Sequence, residues 1–155
     1  MARIADFQRN KVYSWERVTF TSDEHYKGSL TLEECKELAA KMYGARVVVK
    51  DGRGRSHAGA CVSKRVATIT LPIWARNPLV VAHEVAHIQN YRFSKDSSAH
   101  GGVFMWFFIE LLSKHCGKDR DTLTKSARDF GLRVAMPMGY VYKQPEHSIL
   151  QVANL

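Results

Sequence analysis

Apolar residues recur along this chain with two different periods, and the change from one to the other divides it into elements. Leu32, Cys35, Leu38, Ala39 and Met42 fall three or four residues apart, on one face of a helix. Thr31 and Glu34 have the spacing of a capping box and Gly44 supplies a stop, so a first helix precedes the strands. The stretch ARVVVKD then has β-branched strand character, GRGRS is a turn, and AGACVSKRVATITLP holds one or two further strands ending at Pro72. Together these predict a small antiparallel sheet. Asn77 and Pro78 form an N-cap and first-turn pair, opening a helix that runs to about Asn90 or Arg92. SKDSSAHGG is a polar loop. VFMWFFIELLSKHCG is apolar nearly all round, as a central buried helix would be. DTLTKSARDFG fits a last amphipathic helix capped by Asp121 and stopped by Gly131, and the tail from MPMGYVY onward reads as irregular or short strand. No repeat, low-complexity tract or Pro/Gly-rich linker divides the chain, so the expectation is one α+β domain over 1–155.

Composition narrows the class. With 155 residues, 45% of them apolar and 25% charged, the chain is long enough to bury its own core. The opening MARIADFQRNKVY lacks the apolar run and small-residue cleavage site of a secretory signal. The longest apolar run, Val103 to Ile109, falls far short of the roughly 20 residues of a membrane span, so a soluble protein with no membrane partner is expected. Three widely spaced cysteines, Cys35, Cys61 and Cys116, match neither a disulfide framework nor a metal knuckle and read as reduced thiols of a cytoplasmic protein. The formal charge of +8 favours polyanions, and with no reading motif beside it the expectation is weak, non-specific nucleic-acid binding.

One stretch contradicts its own surroundings. VVAHEVAHIQN, Val80 to Asn90, places two histidines and a glutamate in an apolar helical run, where each needs a partner to offset its desolvation. Residues four apart share a helix face, so His83 and His87 aim two imidazoles at one point, and Glu84, offset by about 100°, reaches water bound there. This is the HExxH geometry of two zinc ligands and a general base. A catalytic zinc has three protein ligands and one open position. His100 is the best candidate for the third, in a loop where Gly101 and Gly102 allow close backbone approach. Glu110, the one charge in VFMWFFIELL, is the alternative: a third ligand, a hydrogen-bond partner of a ligand imidazole, or a structural residue. Tyr91 continues the histidine series and reads as a core anchor. Tyr140 or Tyr142 could supply a phenol to an oxyanion, although packing roles are favoured. His25, His57, His115 and His147 have no partner at ligand spacing.

HEVAH followed after twelve residues by HGGVF resembles the HExxH…HGxxF arrangement of SprT-like zinc metallopeptidases. It is more closely similar to the small HExxH-type metallohydrolases of actinobacteria and their phages, whose opening the segment DFQRNKVYSWE also resembles. The similarity runs from about Pro72 to Gly131 and loosely over the whole chain. It implies a zincin-like fold with His83, His87 and His100 as zinc ligands and Glu84 as the base. Asn90 and Phe93 stand where metzincins carry Gly and a third His, which excludes that subgroup, and three scattered cysteines cannot build the zinc ribbon that SprT-like proteins often add.

The expectation is a zinc-dependent hydrolase acting on peptides or proteins. A strand at about Ala58 to Val62 or Val66 to Leu71 would pair with extended substrate. Two other readings stay open: a zinc-dependent hydrolase of a non-peptide amide, and a non-catalytic zinc protein associated with nucleic acid.

Overall fold

A computed structural model describes residues 5–44, 46–94 and 98–140. Among these are six α-helices and a three-stranded sheet, a mixed α+β arrangement. The chain opens with helices α1 (Arg9–Phe20), α2 (Glu24–Lys27) and α3 (Leu32–Tyr43). Strands β1 (Val47–Asp51), β2 (Gly59–Val62) and β3 (Ala67–Leu71) follow. A 3-10 turn (Ile73–Ala75) then leads into α4 (Pro78–Phe93), α5 (Gly102–Cys116) and α6 (Arg120–Asp129).

The helix expected before the sheet is α3. Thr31 and Glu34 exchange both capping-box hydrogen bonds, and Gly44 takes the left-handed conformation (φ 70°) that ends it. Two helices that the apolar pattern did not mark, α1 and α2, lie ahead of it. On α1 only Val12, Trp15 and Phe20 are buried, too sparse a stripe to stand out among charged neighbours. Trp15 nevertheless anchors the helix: its ring meets Phe20 and Phe108 edge-on, and its Nε1–H donates to Ser126 Oγ at 3.1 Å.

The sheet departs from the antiparallel expectation. Its order is β1-β3-β2, with β2 antiparallel and β1 parallel to β3. A four-residue connection folds β2 back on β3, where Ser63 N–H donates to Val66 O. The excursion through β2 between Asp51 and Ala67 is long enough to return the chain in the direction of β1, as parallel neighbours require. Strand β3, with Ala67, Ile69 and Leu71 all buried, takes the centre and leaves β2 at an edge. At the end of β1, Gly52 is required: a Cβ there would lie 2.5 Å from the Pro72 nitrogen.

Helices α4 and α5 form the centre of the core and pack against each other. Nine residues of each are buried, Phe104, Phe108 and Leu112 of α5 completely. The cap of α6 is Asp119, which accepts from Thr122 N–H at 2.8 Å, and not Asp121, which lies inside the first turn. No helix among the described residues is long and apolar enough to cross a membrane. The expectation for the tail beyond residue 140 lies outside the described residues.

Candidate metal centre

Helix α4 begins as its sequence dictates: Asn77 Oδ1 accepts from Val80 N–H at 3.0 Å and Pro78 occupies the first turn. One turn further on, His83 and Glu84 are each only 5% exposed, so burial inside a fully packed helix is what demands an account of them. His87 follows on the same face.

His100 arrives from the turn before α5. Its backbone N–H donates to Asp6 Oδ1 at 3.2 Å, and its carbonyl accepts from Gln8 Nε2 at 2.9 Å. Asn90, near the end of α4, holds the same turn by donating to the Ser98 carbonyl at 3.1 Å. The close approach expected at the glycines is present at Gly102, where an added Cβ would stand 3.1 Å from Ala135 Cβ.

These placements bring His83, His87 and His100 together, with one potential ligand nitrogen from each lying within 4.8 Å of the others. The Nε2 atoms of His83 and His87 are 3.1 Å apart. Tetrahedral bonds of 2.0–2.1 Å would set ligand nitrogens about 3.3 Å apart, so the His83–His87 separation needs only small adjustment. His100 Nε2 is buried with no hydrogen-bond partner. A buried orphan of this kind costs about 1–3 kcal/mol, which an ion bound there would offset.

The remaining nitrogens are held from behind. Glu16 Oε1 is 2.5 Å from His83 Nδ1, Asp6 Oδ2 is 2.7 Å from His100 Nδ1, and His87 hydrogen-bonds to the Ala99 backbone. Two carboxylates and one backbone group thus orient three imidazoles, the usual support of a histidine-bound metal. Tyr13 closes the group from α1, stacked on His83 (centroids 5.7 Å apart, planes 11° apart) and edge-on to His100 at 5.2 Å. Phe104 contacts all three imidazole rings from the core side.

Electrostatics separates the three histidines. Burial disfavours charge on His83, but the Glu16 carboxylate outweighs it and the pKa rises above its ordinary value. Burial, reinforced by the charges of His83 and His100, pushes His87 well below the usual range. His100 is also lowered, chiefly by burial, although Asp6 opposes the shift. Glu84 is raised, first by burial and further by Glu16, with the His83 charge opposing. Its Oε2 is buried without a partner.

Other candidates lie elsewhere. Glu110 pairs with Arg120 at 3.1 Å and is not among the residues gathered around the imidazoles. Tyr140 packs on Trp106, Phe107 and Phe93, and Tyr91 is half exposed rather than a core anchor. His25 pairs with Asp23 at 3.1 Å. Tyr142 and His147 lie outside the described residues. Sequence reasoning missed Asp6, Tyr13 and Glu16, whose only signal was the segment DFQRNKVYSWE taken as a whole, and His57, which lines a cavity beside His83 and Glu84.

Three imidazoles, backed by two carboxylates and a backbone group, form a donor set able to hold a metal ion. Comparison with protein-family models, curated proteins and solved structures gives no match.

Proposed function

We propose that this chain is a zinc-dependent hydrolase of zincin-like fold that cleaves peptide bonds, with His83, His87 and His100 holding the ion. The observation that carries the reading is Glu84, a carboxylate buried beside the imidazole cluster with one oxygen unpartnered. A structural zinc site has no use for such a group. Zinc bound by three imidazoles supplies an acidified water and a Lewis acid for the substrate carbonyl. Glu84 accepts the proton of the attacking water and returns it to the leaving nitrogen. Burial raises its pKa above the ordinary carboxylate value, which favours taking up the proton. Glu16 and Asp6 fix the rings of His83 and His100, and Tyr13 shields both from bulk water on the α1 side.

A peptide substrate is favoured by the position of β2. Strand β3 is paired on both sides, so of the two stretches expected to receive substrate only the first keeps an edge free of strand pairing among the described residues. Helix α4 packs beside β2, and Ala58, just before the strand, lines a cavity with Glu84. An extended chain added to that edge would run past the imidazoles.

The test is Glu84→Gln. The variant should retain zinc and lose hydrolysis of a peptide library by about 10²–10⁴-fold, the usual contribution of a general base. Zinc loss from a folded Glu84→Gln variant, or parent-like turnover, would contradict the role given to Glu84.

A further inference from the structure

Next to Glu84 the protein contains a cavity of about 270 Å³ that the chemistry of the ion does not require. Phe20, Leu79 and Phe108 are buried residues lining it, and Val80 and the half-exposed Trp74 complete its apolar wall. His83 and Glu84 form part of the same lining. Val80 precedes Glu84 by four residues and Leu79 precedes His83 by four, so the apolar wall and the reacting groups occupy neighbouring turns of one rigid helix.

Four observations bear on the occupant. The volume lies just under the range of whole small-molecule sites, about 300–1,000 Å³, and suits a single large side chain. The remaining polar lining offers little to a charged ligand: Glu16 is already bound to His83, while Arg17 and His57 are exposed to water. Ala58, the residue before β2, belongs to the lining, so the cavity lies beside the start of that edge strand. Trp74 is fixed at the rim by a hydrogen bond from Nε1 to the Arg55 carbonyl at 3.2 Å, which keeps an exposed indole facing the cavity.

We infer that this cavity receives a bulky, uncharged apolar side chain, aromatic or branched, of a residue flanking the scissile bond, so that the substrate class is peptides with such a residue beside the cleavage point. The inference rests on the hydrolase reading for its meaning, but the recognition itself needs neither metal nor turnover. The full chain as purified is titrated with the N-acetyl amides of Phe, Leu, Gly and Glu, followed through the backbone amide resonances of Leu79 and Val80. The Phe and Leu compounds should bind at least tenfold more tightly than the Gly and Glu compounds, in line with what a filled apolar pocket yields in discrimination. Val80→Phe, which fills the space, and Trp74→Ala, which removes an exposed wall and leaves the core intact, should each erase that difference. Equal binding of all four compounds, preference for Glu, or a preference for Phe that survives both substitutions would overturn the inference. Failure of the hydrolase reading would appear instead as absent zinc or Glu84-independent turnover, with this titration unchanged.

Discussion

Helices α1 and α4 face each other across the imidazole cluster and contribute in opposite ways. Helix α4 carries its chemistry as a local pattern, with His83, Glu84 and His87 at fixed spacing in an apolar run. Helix α1 buries only Val12, Trp15 and Phe20, has no side-chain cap, and carries Tyr13 and Glu16 on its less buried positions, with Asp6 just ahead of it. Yet two of the three imidazoles take their orientation from that segment. The groups that would bind the ion are close in sequence, whereas the groups that aim them lie 67 and 94 residues away. Ligand sets can therefore be read from spacing, while their supports emerge only when distant elements meet.

The sharpest way to break this comparison is to exchange the two kinds of residue. His100→Ala removes a nitrogen from the cluster, whereas Glu110→Ala removes only the partner of Arg120. In a chelator competition the first should lose zinc by orders of magnitude and the second should match the parent protein. Metal loss from Glu110→Ala with retention by His100→Ala would move the third ligand to α5.

A smaller effect belongs to the supports. Asp6→Asn and Glu16→Gln should each weaken zinc binding about 10–100-fold without abolishing it. Glu33→Gln, at an exposed carboxylate of α3, serves as the control and should have no effect. If the two support variants bound zinc as the parent does, α1 would be packing and nothing more.

How far the sequence reached follows the same division. The caps of α3 and α4, the strand segments, the buried α5 and the grouping of His83, His87 and His100 were legible, because each depends on residues within a few turns or on a simple period. Strand order was not, since β3 enters between β1 and β2 through long-range pairing. The α6 cap was misplaced because two aspartates flank Arg120 and either could close a first turn. Glu110 looked like a site residue because it is the lone charge in an apolar run. Its partner, Arg120, is on the next helix and could not be identified from the run itself.

The smallest expected effect lies away from the cluster, where Asp23 caps α2 through His25 N–H at 2.8 Å and pairs with Lys118 beyond α5. Burial alone would raise the Asp23 pKa, but the hydrogen bonds from Lys118 and His25 outweigh it and the folded-state value is depressed. The stabilisation is therefore full above the unfolded value near 3.8 and disappears as pH falls through the lower folded-state value. Asn still caps the helix and only the ion pair is lost, so denaturant midpoints should show Asp23→Asn destabilised by at most about 1 kcal/mol at pH 6, with the gap closing as pH falls below 3.8. A gap that widened on acidification would reverse the assignment.

The central claim is that His83 and His87 of α4 and His100 of the turn before α5 hold one ion. Elemental analysis of the purified chain, dialysed against trace zinc, tests it most directly. The account predicts one zinc per chain in the parent protein and in Glu84→Gln, and none in folded His83→Ala or His87→Ala. A folded parent protein without zinc, or full stoichiometry in either histidine variant, would contradict it.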